Sequence, residues 1–281
     1  MKLSALPPTG LVLFSVFSIQ IGAGLATRLF PVLGAEGTVA IRIIISALLL
    51  VVFAGSKLRS LKPIFINNIR LLIGFGLCIA AMNLFFYLSI ARIPMGAAVA
   101  IEFVGPLGVA GLNSKRKMHF VWVSLAALGI LLLSPVSGMN LDSMGILFAL
   151  LAGSGWAMFI ILAERVGRHT SGHDGLVIGM GVAAIVMIPY AIPATPPLFS
   201  NSMVLLVALA VAVLSTTLPL IFEFEALKRM PARSYGILVS VEPAVAALIG
   251  ALLLGERIGL QGLIAVACVV VAAIGTTISD T

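Results

Sequence analysis

Two glutamates set the chemistry that this sequence could do. Glu102 lies in Ile101-Glu102-Phe103-Val104-Gly105-Pro106 and Glu242 in Val241-Glu242-Pro243, both inside long apolar runs. A carboxylate at the centre of a bilayer costs about 2.5–3.5 kcal/mol on insertion scales, so each should face a cavity or a partner. With Pro94 and Pro231 as first helical residues, Glu102 falls about 12 Å and Glu242 about 16 Å along their helices, near the midplane. Pro106 removes the donor for the carbonyl of residue 102, Pro243 removes that for Val239, and Gly105 softens the first break. Carbonyls freed at such helix breaks can bind ammonium groups, and a carboxyl beside them is placed to exchange protons. Glu102 and Glu242 are thus the candidate proton-coupling pair, with Gly105, Pro106 and Pro243 as helix breaks. The competing reading is a packing kink with a hydrogen-bonded glutamate.

Arg42 stands five or six residues into the second apolar run. Its planar fork suits a substrate carboxylate, while snorkelling to the outer interface is the alternative. Gln20, Asn83, Tyr87, Trp156, Ser215, Thr216, Tyr235 and Ser240 add polar or aromatic handles within apolar segments. Together with Glu102 and Arg42 they could orient a zwitterion, although hydrogen bonding between helices accounts for any one of them alone. Glu223 and Glu225, close to Lys228 and Arg229, read as ordinary ion pairing near a membrane surface.

Other motifs carry less. Gly179-Met180-Gly181-Val182-Ala183-Ala184 imitates a dinucleotide fingerprint but lies in an apolar helix without βαβ context, so small-residue packing explains it. His169 and His173 have helical spacing but no third ligand nearby, and His119 reads as a helix start; no metal is expected. Cys78 and Cys268 sit inside apolar runs, far from any CxxC pattern, as packing residues. No Walker motif supports ATP drive and no cofactor is expected.

The elements that must position these residues follow from composition. The chain is 61% hydrophobic and 10% charged, against about 45–50% apolar and about 25% charged in soluble domains. A span needs roughly 20 apolar residues, and ten such stretches centre near residues 20, 45, 80, 103, 127, 153, 183, 212, 243 and 268. Runs such as Ile43 to Ala54 lack the alternation of a barrel strand, so the spans are helices. The first is expected to be retained rather than cleaved as a signal peptide.

The net charge of +7 sits in small groups between spans rather than along one face, so no nucleic acid is expected. With a cytoplasmic N-terminus, thirteen of the seventeen cations fall on inner segments and only Arg28, Arg42, Arg92 and Arg257 on or near the outer side. The positive-inside bias therefore predicts both termini in the cytoplasm.

Sliding the chain by 137 residues aligns Arg28 with Arg165, Arg92 with Arg229, Pro94 with Pro231 and Pro106 with Pro243. Each half, 1–137 and 138–281, then holds five spans. An odd number inverts the second half, the inverted-repeat plan of many secondary transporters.

The run from Pro94 through Glu102 to Pro106, and Val241-Glu242-Pro243-Ala244 through Leu254-Gly255-Glu256, resemble the EamA branch of the drug/metabolite transporter superfamily. Ser18-Ile19-Gln20, Met82-Asn83-Leu84, Phe120-Val121-Trp122 and Leu214-Ser215-Thr216 extend the likeness along nearly the whole chain. The resemblance implies an all-α integral membrane protein of ten helices in two inverted five-helix repeats around a central cavity. It also implies alternating access, efflux driven by the proton gradient, and a bacterial inner-membrane location.

Within that family the expected function is export of a small amino acid of the threonine or homoserine type, with protons and the lipid bilayer as partners and a monomer as the working unit. Another metabolite, such as an aromatic amino acid, a nucleobase or a drug, is the alternative. A membrane-embedded enzyme would need a nucleophile–base or metal constellation that the spans lack.

Overall fold

The computed structural model describes residues 6–55, 58–106, 108, 118–133, 141–170, 174–227, 229, 238–239, 241–257 and 259–279. In chain order its helices are α1 (Pro8–Thr27), α2 (Phe30–Ala54), α3 (Leu58–Asn67), α4 (Ile69–Ile90), α5 (Met95–Glu102), α6 (Met118–Leu133), α7 (Ser143–His169) and α8 (Asp174–Ala191). There follow α9 (Thr195–Ser200), α10 (Ser202–Ala212), α11 (Leu218–Leu227), α12 (Glu242–Leu254) and α13 (Leu260–Ser279). A π-helical turn, Val213–Thr217, joins α10 to α11.

Local chemistry sets several ends. Asp142 accepts from the N–H groups of Met144 and Gly145 at 3.3 Å each and caps α7, and Asn201 caps α10 through Met203 N at 2.9 Å. Prolines occupy the first turns of α1, α2 and α12, where a missing N–H costs nothing. Gly255 ends α12 with φ +67°, a conformation that favours glycine.

Six described helical segments are long and apolar enough to cross a membrane: Pro8–Thr27, Phe30–Ala54, Ile69–Ile90, Ser143–Gly167, Asp174–Ala191 and Ser202–Glu223. Their outer surfaces carry large exposed apolar side chains such as Phe14, Val52, Ile185 and Leu206. On a water-facing surface this would be unstable; against lipid tails it is neutral. Inside, α4 packs on α7 and α8, α2 on α8, α1 on α11 and α12, α5 on α7 and α12, and α6 on α13.

Two details differ from the sequence reading. Pro94 is the N-cap of α5 rather than its first helical residue, so the helix starts at Met95. Pro243 sits in the first turn of α12, which starts at Glu242, just after helical residues 238–239.

Candidate functional site

The site is organised by a defect in one helix. A π-turn contains an extra residue per hydrogen-bonded ring and leaves carbonyls without regular partners. Hydroxyls supply them: Ser46 donates to Ala212 O at 3.1 Å, Thr217 to the same oxygen at 3.2 Å, and Ser18 to Leu214 O at 2.6 Å. Gly22 of α1 lies flush against the turn, where a side-chain carbon would come within 2.7 Å of Ser215 N. The bulge thereby turns Ser215 and Thr216 together toward the molecule's interior.

Arg42 of α2 meets that turn. Its Nη1 donates to Ser215 Oγ at 3.3 Å and Thr216 Oγ1 at 3.1 Å, and its Nη2 donates to Asn83 Oδ1 of α4. Asn83 is fixed in turn by donating to Ile79 O at 2.8 Å. The guanidinium carbon stands 4.8 Å from the centroid of the Tyr87 ring, a cation–π arrangement. Arg42 is 6% exposed, so it faces inward and does not snorkel. Among the described residues no carboxylate pairs with it, and its Nε–H has no partner. A buried charge held only by neutral groups is costly, and it suits an anion that arrives from outside the protein.

Carboxyls occupy the opposite part of the same space. Gln20 of α1 donates Nε2–H to Glu242 Oε1 at 2.9 Å, while Gln20 Oε1 is buried without a partner among the described residues. Glu102, the last residue of α5, is buried and within electrostatic reach of Glu242. Ser15, five residues before Gln20 on α1, donates to Glu223 Oε1 at 2.7 Å. Glu223 thus lines the cavity as well, while Glu225 pairs with Arg229 at 3.5 Å, as expected.

A cavity of about 220 Å³ joins these groups. Of the residues named from sequence, Gln20, Arg42, Asn83, Tyr87, Glu102, Trp156, Ser215, Thr216 and Glu242 line it. Tyr235 and Ser240 lie outside the described residues. Trp156 is held edge-on to Phe103, ring centroids 5.3 Å apart.

The model of the EamA-like transporter family matches residues 143–278. The threonine/homoserine exporter RhtA of Salmonella typhimurium (strain LT2) is 41% identical over 283 residues, covering 99% of this chain and 94% of that protein. RhtA of Escherichia coli (strain K12) is 40% identical over 276 residues, covering 97% and 92%. The chain belongs to the EamA-like transporter family. A crystal structure of another protein, 18% identical, matches the fold of this EamA-family chain with a TM-score of 0.60 over 96% of this chain and 97% of that one. Membership makes the molecule a membrane transporter and not an enzyme, which accounts for a polar cavity among apolar helices.

In this EamA-family transporter the helix break at Gly105-Pro106 works differently from the sequence expectation. Gly105 leaves no room for a side-chain carbon against Gly153 O of α7, and a side-chain carbon on Gly153 would come within 2.5 Å of the Glu102 carbonyl oxygen. The carbonyl freed by Pro106 thus packs against α7, and Glu102 lines the cavity. Gly105 and Pro106 position Glu102 and do not line the site.

Glu223 and Phe86 also line the cavity, although the sequence suggests neither as a substrate contact. Several lining residues are related by the 137-residue offset. Ile79 and Thr216, Asn83 and Leu220, Phe86 and Glu223, and Glu102 and Val239 are each 137 apart, and all eight line the cavity. In each of these four pairs one member is polar and the other apolar.

Proposed function

We propose that this transporter is a proton-coupled antiporter that exports small zwitterionic amino acids of the threonine and homoserine type from the bacterial cytoplasm across the inner membrane. The observation that carries the reading is Arg42, a buried guanidinium with an unpartnered Nε–H and no carboxylate partner among the described residues, set in a cavity that also holds Glu102 and Glu242. A zwitterion complements both ends: its carboxylate accepts from Arg42 and its ammonium donates to Gln20 Oε1 and the glutamates. The space, about 220 Å³, is smaller than the roughly 300–1,000 Å³ of drug-sized pockets, which favours a small metabolite over a drug. The RhtA relatives, named for threonine and homoserine, support the same solute class.

The proposed architecture is ten spans in two inverted repeats, 1–137 and 138–281, with both termini cytoplasmic and a monomer as the working unit. Its support is the constant 137-residue offset together with the offset-related pairs that line one cavity, as inverted repeats meeting at a midplane site would place them. Glu102 is the residue that exchanges between proton and substrate ammonium, alternating access carrying each across in turn.

Reconstituted vesicles test the solute. Threonine and homoserine should exchange and compete with each other, whereas an aromatic amino acid, a nucleobase and a cationic drug should not. Exchange of any of those three in preference to threonine would replace this substrate class.

A further inference from the structure

Glu223 has no part in the zwitterion site just described, yet it lies in the same cavity. It sits on α11 beyond the π-turn, and Ser15 on α1 donates to it at 2.7 Å. Glu223, Glu242 and Glu102 all line this one cavity. α1 runs alongside: it offers Ser15 to Glu223 and Gln20 to Glu242. Five residues separate these donors, about 7.5 Å along the helix, so Glu223 is displaced toward the start of α1.

We infer that Glu223 is a third proton-carrying carboxyl of the transport cycle, the station at which the cavity exchanges protons with water on the side of the membrane where α1 begins. The inference rests on the proton coupling proposed above.

Among the described residues, the following charges share the cavity with Glu223. α12 brings Glu242, α5 brings Glu102 and α2 brings Arg42 across the cavity, while Pro8–Thr27 of α1 contains no ionisable side chain. On its own helix Glu225 is engaged with Arg229. Among the described residues, three acids thus share the space with one guanidinium, and an amino-acid zwitterion adds no net charge. Protons make up the difference, and their number can change as the solute comes and goes.

The transfers balance without any redox partner. A proton taken from water on the far side forms an O–H bond at Glu102. Each later hop breaks an O–H at one carboxyl and forms one at the next, directly or through a cavity water. The final hop breaks the O–H at Glu223 and gives the proton to water near the start of α1. Ser15 donates to Glu223 only while that carboxyl oxygen can accept, so the hydroxyl orients the terminal acceptor.

A purely structural Glu223 would serve only as an acceptor for Ser15 between α1 and α11. Glu223→Gln keeps an acceptor oxygen there and removes the titratable proton, so it separates the two roles. The full-length protein is reconstituted in vesicles with pyranine inside, and radiolabelled threonine is followed in two modes: counterflow without a pH gradient, and accumulation driven by one. For E223Q the expected result is counterflow within about threefold of wild type, with gradient-driven accumulation and threonine-induced proton flux reduced at least about tenfold, the scale of a lost proton-transfer group. Glu223→Asp should restore part of the coupling. Full coupling in E223Q would overturn the assignment, and so would loss of counterflow in step with coupling, which would make Glu223 a substrate or packing residue. Wild-type threonine counterflow with no proton flux under any gradient would instead defeat proton coupling itself, and Glu223's role with it.

Discussion

Gly22 and Ser215 touch backbone to backbone: a side-chain carbon on Gly22 would sit 2.7 Å from both the nitrogen and the Cβ of Ser215. This contact fixes the π-turn against α1, and the turn in turn fixes two of the three acceptors of Arg42. Gly22→Ala must push the turn away. The expected cost is about 1–3 kcal/mol, as for overpacking a filled interior, with transport falling more than stability because Ser215 and Thr216 leave Arg42 together. Melting in detergent and vesicle export measure the two effects; a variant with wild-type export would show that the turn tolerates displacement.

Arg42→Lys retains the charge but loses the fork. A lysine cannot reach Asn83, Ser215 and Thr216 while also presenting a free N–H to a carboxylate. Charge-assisted hydrogen bonds are worth about 1.5–3 kcal/mol each, so threonine affinity should fall by roughly one to two orders of magnitude. Homoserine should suffer alike, because the carboxylate is common to both. Equilibrium binding to purified protein checks this; unchanged affinity would leave Arg42 as a packing cation.

Much of this site was legible because polar residues are rare in such a chain and each stands out. Glu102, Glu242, Arg42, Asn83 and Gln20 were nameable on cost alone, since a polar group in an apolar span needs a reason. Three things were not legible. The π-turn at Val213–Thr217 has no sequence signature, being enforced by Gly22 and by hydroxyls on α1 and α2 that are remote in sequence. The place of Glu223 on the cavity had no clear sequence signal, because Lys228 and Arg229 nearby made ion pairing a sufficient reading. The Glu102 carbonyl was expected to face the solute, yet the paired glycines 105 and 153 draw it onto α7.

Glu102 and Glu242 differ in what holds them, and so should their neutral variants. Glu242 accepts from Gln20 at 2.9 Å, a role that glutamine can keep. No side chain among the described residues donates to the Glu102 carboxyl. Glu102→Gln should therefore lose pH-gradient-driven accumulation by at least about tenfold while retaining slow downhill exchange, and Glu242→Gln should be milder. Accumulation at wild-type level in the Glu102 variant would remove it as the coupling residue.

Glu256 gives a prediction outside the spans. It follows the left-handed Gly255 that ends α12, and both its carboxylate oxygens lie 3.1 Å from Met95 N at the start of α5. Burial pushes its carboxyl above the usual carboxylate range, and the Met95 N–H opposes that shift without cancelling it. The folded protein thus holds this proton more tightly than the unfolded chain does. The associated stabilisation is fully present below the ordinary carboxylate range and is lost as the pH rises through the higher folded value. Glu256→Gln mimics the protonated form and keeps an acceptor for Met95, so its melting temperature in detergent should match wild type in acid and exceed it slightly at neutral pH. A variant less stable than wild type at neutral pH, with the deficit vanishing in acid, would mean that the ionised carboxylate at the start of α5 outweighs its burial cost.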